Sequence, residues 1–232
     1  MSADARVRRR RASTIGGVNP EAPIGILAAG WAGLVAADAV QRALPHEDVV
    51  YLADQAWAPY AGRPGAVVSD RVARMAADLV EQHGCKLVVL ASLQATLDGL
   101  DAARKRLVTV PVVGMEPGPV LARAAALAGD GKVRAVVGNG CVRGAQLRGE
   151  LKRGRDRSLP AGVAEADADV AALLCAHACA DPPAGPFVSA AEIAAASACA
   201  TVRGMGGIAR RRRRGRRIIV SSSPAAPATM AR

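Results

Sequence analysis

Five short apolar runs, separated by stretches with helical spacing, constrain the fold of this 232-residue chain more than any other feature. The runs are IGILA at 24–28, DVVYLA at 48–53, KLVVLAS at 86–92, VPVVGM at 110–115 and VRAVVG at 133–138. Between them, apolar residues recur every three or four positions, as they do on one face of a helix. Strands that alternate with helices at this interval predict an α/β fold with a doubly wound parallel sheet.

This fold class also predicts where functional residues lie, because ligands bind beyond the carboxyl ends of the strands in such sheets. The segments at those ends are Ala28–Gly33, Asp54–Gly62, Ser92–Gln94, Gly114–Gly118 and Gly138–Cys141. The first of them begins Ala-Ala-Gly and supplies no acid, base or nucleophile. The position therefore fits either plain scaffold or a site that has lost its reactive groups.

The net charge of +11 lies at the two ends of the chain. Residues 1–17 carry +4 and residues 203–232 carry +9, which leaves residues 18–202 at −2. A nucleic-acid reader usually places its basic residues on the folded face, so this distribution argues against that class. Residues 1–22 are predicted to form a disordered basic arm without the apolar segment of a secretory signal.

The run RRRRRGRR, Arg210–Arg217, leaves two interpretations open. A cluster of this kind can bind phosphate without sequence specificity. A solvated, mutually repelling basic loop is the favoured interpretation, since blocks of like charge usually behave that way. No apolar run reaches the ~18 residues that a membrane span needs.

Five cysteines and no small secreted framework favour reduced thiols and a cytoplasmic protein. Cys175, His177 and Cys179 alternate along the chain, but without a second cluster they are a poor zinc signature, and no metal site is predicted. Cys85, Cys141 and Cys199 are interpreted as packing residues.

An ordered set of motifs resembles the glutamate racemases of the cofactor-independent aspartate/glutamate racemase superfamily. The matching pieces are PIGILAAGWAGL, LPHEDVVYLADQAWAPY, LVVLASLQAT, VPVVGMEPG, VRAVVGNGCVRGAQL and LLCAH. They follow the family's order through residues 23–151, whereas residues 152–187 match in patches and are shortened. GPFVSAAEIA and RRIIVSSSPAA resemble the family's closing helix and tail.

The resemblance implies two doubly wound parallel-sheet domains that face a central cleft. It assigns 23–115 with 188–222 to the first domain and 116–187 to a shortened second domain, leaving 223–232 as a disordered tail. It further implies a reaction without a cofactor, in which two cysteines on opposite faces of the substrate Cα remove and return a proton. The α-proton is a very weak acid, so both thiols must be close, desolvated and oriented.

Carried over residue by residue, the family's site is incomplete here. The resemblance places Ser92 at the first catalytic cysteine and Cys175 at the second, with His177 beside Cys175. A serine hydroxyl is far less acidic than a thiol, so it cannot supply a comparable population of anion at neutral pH. The substrate-binding positions of the family fall on Ala28, Ala29, Tyr60, Ala61, Leu93, Gln94, Ala176 and His177.

At three of these positions this chain lacks a polar group that the family carries. Ala28 and Ala29 stand where the family has a carboxylate and a hydroxyl, and Leu93 stands where it has an amide. By contrast, Asp54, the Pro-Tyr pair before Ala61, and Glu116 are retained. Cys175 and His177 are equally compatible with a surviving half-site and with a buried structural pair.

The function implied by the resemblance is interconversion of L- and D-glutamate for peptidoglycan synthesis, slow or absent here because the two-base site is incomplete. The alternative is a non-catalytic binding or regulatory protein on the same scaffold, with its arginine-rich ends contacting nucleic acid or an acidic partner. A decayed copy of a racemase would show the same changes. Glutamate is the expected small-molecule partner, while a homodimer and a weak nucleic-acid contact are left open.

Overall fold

A computed structural model describes residues 18–131, 133–136, 170–174 and 185–222, and these residues form two parallel sheets with flanking helices. The strands are β1 (Ile24–Ala28), β2 (Val49–Ala53), β3 (Leu87–Leu90), β4 (Val112–Gly114), β5 (Val133–Val136), β6 (Val170–Leu173), β7 (Phe187–Ser189) and β8 (Arg217–Ser221). The helices are α1 (Leu34–Ala43), α2 (Gly65–His83), α3 (Leu93–Arg106), α4 (Pro117–Ala128) and α5 (Ala190–Gly204). The predicted α/β class is confirmed.

The first sheet has the strand order β4-β3-β1-β2-β8, with every pair parallel. Its central strands are buried on both faces, which explains their continuous apolar sequences. Helices α1 and α5 pack on one face, and α2 and α3 pack together on the other. The second sheet, β5-β6-β7, is also parallel and is covered by α4.

Local sequence signals set the ends of the longer helices. Gly84 follows α2 with φ of 66°, the left-handed conformation that glycine adopts most readily. Ser189 precedes α5, and its hydroxyl accepts a hydrogen bond from the Ala191 amide. Glycine after a helix and serine before one are the residue types that sequence patterns favour at these positions.

The closing segment 205–222 is packed against the first sheet, and the prediction of a solvated, repelling loop at Arg210–Arg217 is wrong. Arg211 pairs with Glu21 and Asp48, and Arg213 also pairs with Asp48. Arg217 pairs with Asp38 at 2.5 Å. Three acidic side chains of the body therefore neutralise these arginines, so the run binds to the fold instead of repelling itself away from it.

The backbone of this segment approaches the body closely at Gly215. Its amide donates to the Pro45 carbonyl at 2.8 Å, and a Cβ at this position would collide with the Glu47 carbonyl. The Arg216 amide adds a hydrogen bond of 2.7 Å to the Asp48 carboxylate. Strand β8 then continues beside β2 as the edge of the sheet.

Residues 18–22, which the sequence assigns to a disordered arm, are also held in place. The Pro20 carbonyl accepts from Lys86 Nζ at 2.6 Å, and Glu21 accepts from the Arg210 amide at 2.8 Å. Residues 1–17 and the predicted tail 223–232 lie outside the described residues.

The ion pairs of Asp48 predict a loss of stability in acid. Burial disfavours the charged carboxylate, but hydrogen bonds from Arg213, Arg216 and Arg211 outweigh it and lower the pKa of Asp48 from 3.8 to about 2. A group with a lowered folded-state pKa stabilises the fold above its unfolded pKa and loses that contribution as the pH falls through the folded value. The stabilisation by Asp48 should therefore be complete above about pH 4 and disappear towards pH 2.

The measurement is the urea midpoint of the parent chain and of Asp48→Asn across this pH range. The two midpoints should differ most at neutral pH and converge in acid. Asp101→Asn, a change at an exposed position, serves as the control and should follow the parent at every pH. A constant difference between parent and Asp48→Asn from neutral pH to pH 2 would contradict the assignment.

Candidate functional site

The candidate site lies where the strand order of the first sheet reverses. The connection from β1 runs to β2 on one side, and the next connection returns to β3 on the other side of β1. The loops after β1 and β3 therefore diverge and leave a crevice between them. The Ala91 amide donates to the Leu27 carbonyl at 2.7 Å, which keeps the starts of the two loops together.

A tyrosine from β2 fixes the loop after β1. The Tyr51 hydroxyl donates to the Gly30 carbonyl at 2.6 Å, and burial raises the pKa of Tyr51, so the phenol is a neutral donor. A Cβ at Gly33 would collide with the Ala28 side chain, the Tyr51 hydroxyl and the Ala91 carbonyl. Glycine at position 33 therefore permits the close packing of this turn.

Ser92 acts as the N-cap of α3. Its Oγ lies 3.5 Å from the Ala95 amide, and its carbonyl accepts from the Thr96 hydroxyl at 3.0 Å. Among the described residues, no carboxylate or imidazole hydrogen-bonds to the Ser92 hydroxyl. The geometry provides a helix cap and no base that would convert the hydroxyl into a nucleophile.

The two residues after Ser92 are buried. Leu93 belongs to the same apolar cluster as Ala28, on the α1 and α5 face of the sheet. Gln94 is also buried, and its Nε2 donates to Asp98 at 2.7 Å. Leu93 and Ala28 thus contribute to one apolar core cluster.

The loop after β2 is built around a buried carboxylate. Asp54 is 0% exposed and accepts two hydrogen bonds from Arg71, at 2.8 and 2.7 Å, and one from the Tyr60 hydroxyl at 2.7 Å. Burial opposes ionisation, but hydrogen bonds from Arg71, Ser222 and Tyr60 outweigh it and hold the pKa of Asp54 below its ordinary value. A bidentate arginine–carboxylate pair of this kind defines both position and orientation.

An aromatic ring completes this loop. The guanidinium carbons of Arg63 and Arg71 lie 4.6 and 5.0 Å from the Trp57 ring centroid, within the range of cation–π contacts. Burial and the neighbouring Asp54 raise the pKa of Tyr60, so its hydroxyl remains protonated. Asp54, Tyr60, Trp57 and Arg71 therefore form a preorganised cluster at the loop after β2.

The structure brings the predicted residues of the first domain to one edge of the sheet, but it buries most of their side chains. Ala28, Tyr60, Leu93 and Gln94 are buried, whereas Ala29, Ala61 and Ser92 are half-buried. Contact between these residues and a substrate stays a prediction. Cys175, Ala176 and His177, like Cys141 and Cys179, lie outside the described residues.

The other residues singled out from the sequence form a surface ion pair or pack in the interior. Glu116 precedes α4 and pairs with Arg104 at 3.3 Å on the surface. Cys85 and Cys199 are buried, as expected of packing residues, and burial raises the pKa of the Cys85 thiol to about 12. In the described ranges, no group of three histidine, cysteine or acidic side chains is placed to hold a metal ion, and no helix is long and apolar enough to cross a bilayer.

Sequence reasoning missed Arg71 and Tyr51, the two residues that fix the loops of the site. Arg71 follows Asp54 by seventeen residues on a different element, and no local spacing rule connects such a pair. Tyr51 lies inside an apolar strand, where an aromatic residue is ordinarily interpreted as packing. The sequence did carry one signal for Tyr51, because a tyrosine hydroxyl in a buried strand usually needs a hydrogen-bond partner.

Comparisons with known proteins agree with this description. The chain is 37% identical over 141 residues to the glutamate racemase of Deinococcus radiodurans and 42% identical over 113 residues to that of Corynebacterium glutamicum. These matches cover 61% and 49% of this chain but only 46% and 40% of the relatives. The chain thus matches less than half the length of these curated relatives, and no protein-family model matches it.

Two solved structures share the fold over most of the chain. The glutamate racemase isoform RacE1 of Bacillus anthracis has a TM-score of 0.73 at 21% identity, with 88% of this chain and 90% of that chain covered. The Escherichia coli glutamate racemase, solved with L-glutamate and the activator UDP-MurNAc-ala, has a TM-score of 0.62 at 19% identity, with 88% and 91% covered. The predicted resemblance to glutamate racemases is therefore confirmed in sequence and in fold.

Proposed function

We propose that this chain is a glutamate racemase-like protein that racemises glutamate slowly or not at all. The observation that carries the proposal is the position of Ser92. The resemblance assigns it to the place of the family's first catalytic cysteine, yet its hydroxyl caps α3 and has no base among its described neighbours. A reference thiol pKa of ~8.5 leaves a useful fraction of thiolate at neutral pH, whereas an unactivated hydroxyl leaves almost none.

The substrate is proposed to be glutamate, on two grounds. The relatives named above are glutamate racemases, and the E. coli structure contains L-glutamate. The preorganised cluster at Asp54 also contains Pro59-Tyr60, which the resemblance assigns to the family's substrate loop. Under this proposal the protein acts in the cytoplasm, and its product would enter peptidoglycan synthesis.

The reactive half of the proposed site is Cys175 with His177, and the substrate would lie between that pair and the loops after β1 and β3. This arrangement follows the proposed domain division, with 23–115 and 188–222 on one side of the cleft and 116–187 on the other. The continuation of the chain into α5 and β8, which pack on the first sheet, supports the division.

A non-catalytic binding or regulatory protein on the same scaffold is the second candidate. The burial of Ala28 and Leu93 in one apolar cluster favours it, because these substitutions contribute to packing and would be kept without catalysis. A homodimer is compatible with either candidate.

The test is exchange of the Cα proton into heavy water, followed by NMR for each glutamate enantiomer. The parent chain should exchange both enantiomers slowly or not at all, and Ser92→Ala should match it. Ser92→Cys introduces a thiol at the family's position and should raise exchange by about 10²-fold, the lower end of what one acid/base group contributes. Rapid exchange by the parent that is lost in Ser92→Ala would contradict the proposal.

The structure favours this single substitution over full restoration. Asp at position 28 and Asn at position 93 would place a carboxylate and an amide in the apolar cluster of the first domain. Burial of such groups without partners costs stability and would confound the activity measurement. Cys175→Ala in the Ser92→Cys background is the matched control. It should remove the exchange of the enantiomer whose α-proton Cys175 abstracts.

A further inference from the structure

The arginines of the run Arg210–Arg217 divide into an inward and an outward set. Arg211, Arg213 and Arg217 bind the acidic side chains of Glu21, Asp48 and Asp38. The outward set consists of Arg210, Arg212, Arg214 and Arg216, all of which are exposed. In the part of the chain that the structure describes, no ion pair joins these four guanidinium groups to an acidic side chain.

The inward set holds the outward set in a defined arrangement. Besides the ion pairs, the backbone amides of Arg210, Gly215 and Arg216 donate to Glu21, Pro45 and Asp48, at 2.8, 2.8 and 2.7 Å. A disordered polybasic tail would lose conformational entropy when it bound a partner. Here that ordering has already happened during folding, so binding would cost less.

We infer that the outward set is a binding surface for the phosphate backbone of duplex nucleic acid, read without sequence specificity. These four guanidinium groups, which form no ion pair with the described residues, lie within seven residues and give a dense positive surface, and each can bind phosphate oxygens in a bidentate manner. Residues 210–217 contain only arginine and one glycine. Without an aromatic ring for base stacking, the surface suits the outside of a duplex better than a single strand.

The composition also favours nucleic acid over an acidic protein. Stable protein interfaces usually have an apolar or aromatic centre that supplies most of the binding energy. The run has no such side chain, whereas binding driven by release of counterions from phosphates requires only the charges.

This surface is separate from the candidate racemase site. The Val49 amide, at the start of β2, donates to the Arg216 carbonyl, whereas Asp54 follows the end of that strand. The five residues of β2 therefore separate the contact with Arg216 from Asp54 by about 16 Å. Binding of nucleic acid therefore leaves the crevice open, and the inference does not depend on the proposed racemase-like function.

The test is fluorescence anisotropy of a short labelled DNA duplex with the full-length protein, from about 50 to 200 mM KCl. Each phosphate contact contributes about −0.9 to the slope of log affinity against log salt. The quadruple variant Arg210→Gln, Arg212→Gln, Arg214→Gln and Arg216→Gln should bind at least about 10-fold more weakly and show a slope shallower by about 3. Its glutamate exchange should equal that of the parent.

A matched control removes the same charge elsewhere. Arg74→Gln, Lys105→Gln, Arg106→Gln and Arg123→Gln together change four exposed positions on α2, α3 and α4. This variant should bind the duplex within about threefold of the parent. Circular dichroism should show both variants folded.

Three outcomes would overturn the inference. Equal weakening in both quadruple variants would show that net charge alone matters. Unchanged affinity in the arginine variant would place any binding elsewhere on the chain. Tighter binding of labelled polyglutamate than of the duplex at the same salt would identify an acidic protein as the partner.

Discussion

Replacement of Asp54 by alanine is expected to lower the free energy of unfolding by about 3–5 kcal/mol, the usual cost of breaking a buried ion pair by removing one partner. The carboxylate is fully buried and accepts hydrogen bonds from Arg71 and Tyr60. Its removal leaves the Arg71 guanidinium, whose side chain is only 17% exposed, without its counter-charge. It also leaves the buried Tyr60 hydroxyl without its acceptor, a further cost.

The measurement is urea unfolding followed by circular dichroism. Asp70→Ala is the matched control, because Asp70 is an exposed aspartate on the same helix as Arg71, and a surface change of this kind stays within about 0.5 kcal/mol. A loss of less than about 1 kcal/mol in Asp54→Ala would show that the cluster is less important for stability than its burial indicates.

Replacement of Lys86 by methionine is expected to have an effect of similar size, about 3–5 kcal/mol. The Lys86 ammonium lies 2.5 Å from Glu47, and both side chains are 2% exposed. It also donates to the carbonyls of Pro20 and Gly207, at 2.6 and 2.7 Å. Burial lowers the pKa of Lys86, and the hydrogen bond to Glu47 opposes that effect.

The double variant Lys86→Met with Glu47→Gln separates the ion pair from packing. If the cost of the single variant comes from an uncompensated buried carboxylate, neutralising Glu47 should recover part of it. The Glu47 side chain also accepts from the Ala209 amide at 2.7 Å, which Gln can retain, so recovery is not prevented by loss of that bond. Lys105→Met, an exposed change, should be nearly neutral. A double variant no more stable than the single one would contradict the expected coupling.

The central strands of the first sheet could be predicted from the sequence because their residues are apolar on both faces. β1 is predicted to the residue, and β2, β3 and β4 lie within the predicted runs. The crevice could be placed as well, since its position follows from strand order alone. Gly84 and Ser189 are likewise residue types typical of helix ends, because capping depends on the local backbone.

Contacts between residues distant in sequence could not be predicted in this way. The pairs Asp54–Arg71, Glu47–Lys86 and Asp48–Arg211 join different elements, and any basic residue could have filled each role. The charge difference between the body and the closing segment was visible, but it did not indicate which arginines would face inward. For Ser92 and Leu93, the resemblance located the positions, whereas the structure showed that one caps a helix and the other is core.

The position of β8 has a consequence for how this chain is synthesised. Strand β2 acquires its outer neighbour from residues 217–221, which are synthesised long after β2 itself, so the nascent polypeptide carries β2 with one side open until those residues emerge from the ribosome. Such an edge is a template for pairing with another chain. Completion of the first sheet must therefore wait until β8 has left the ribosome, and products truncated before residue 217 would carry the open edge permanently.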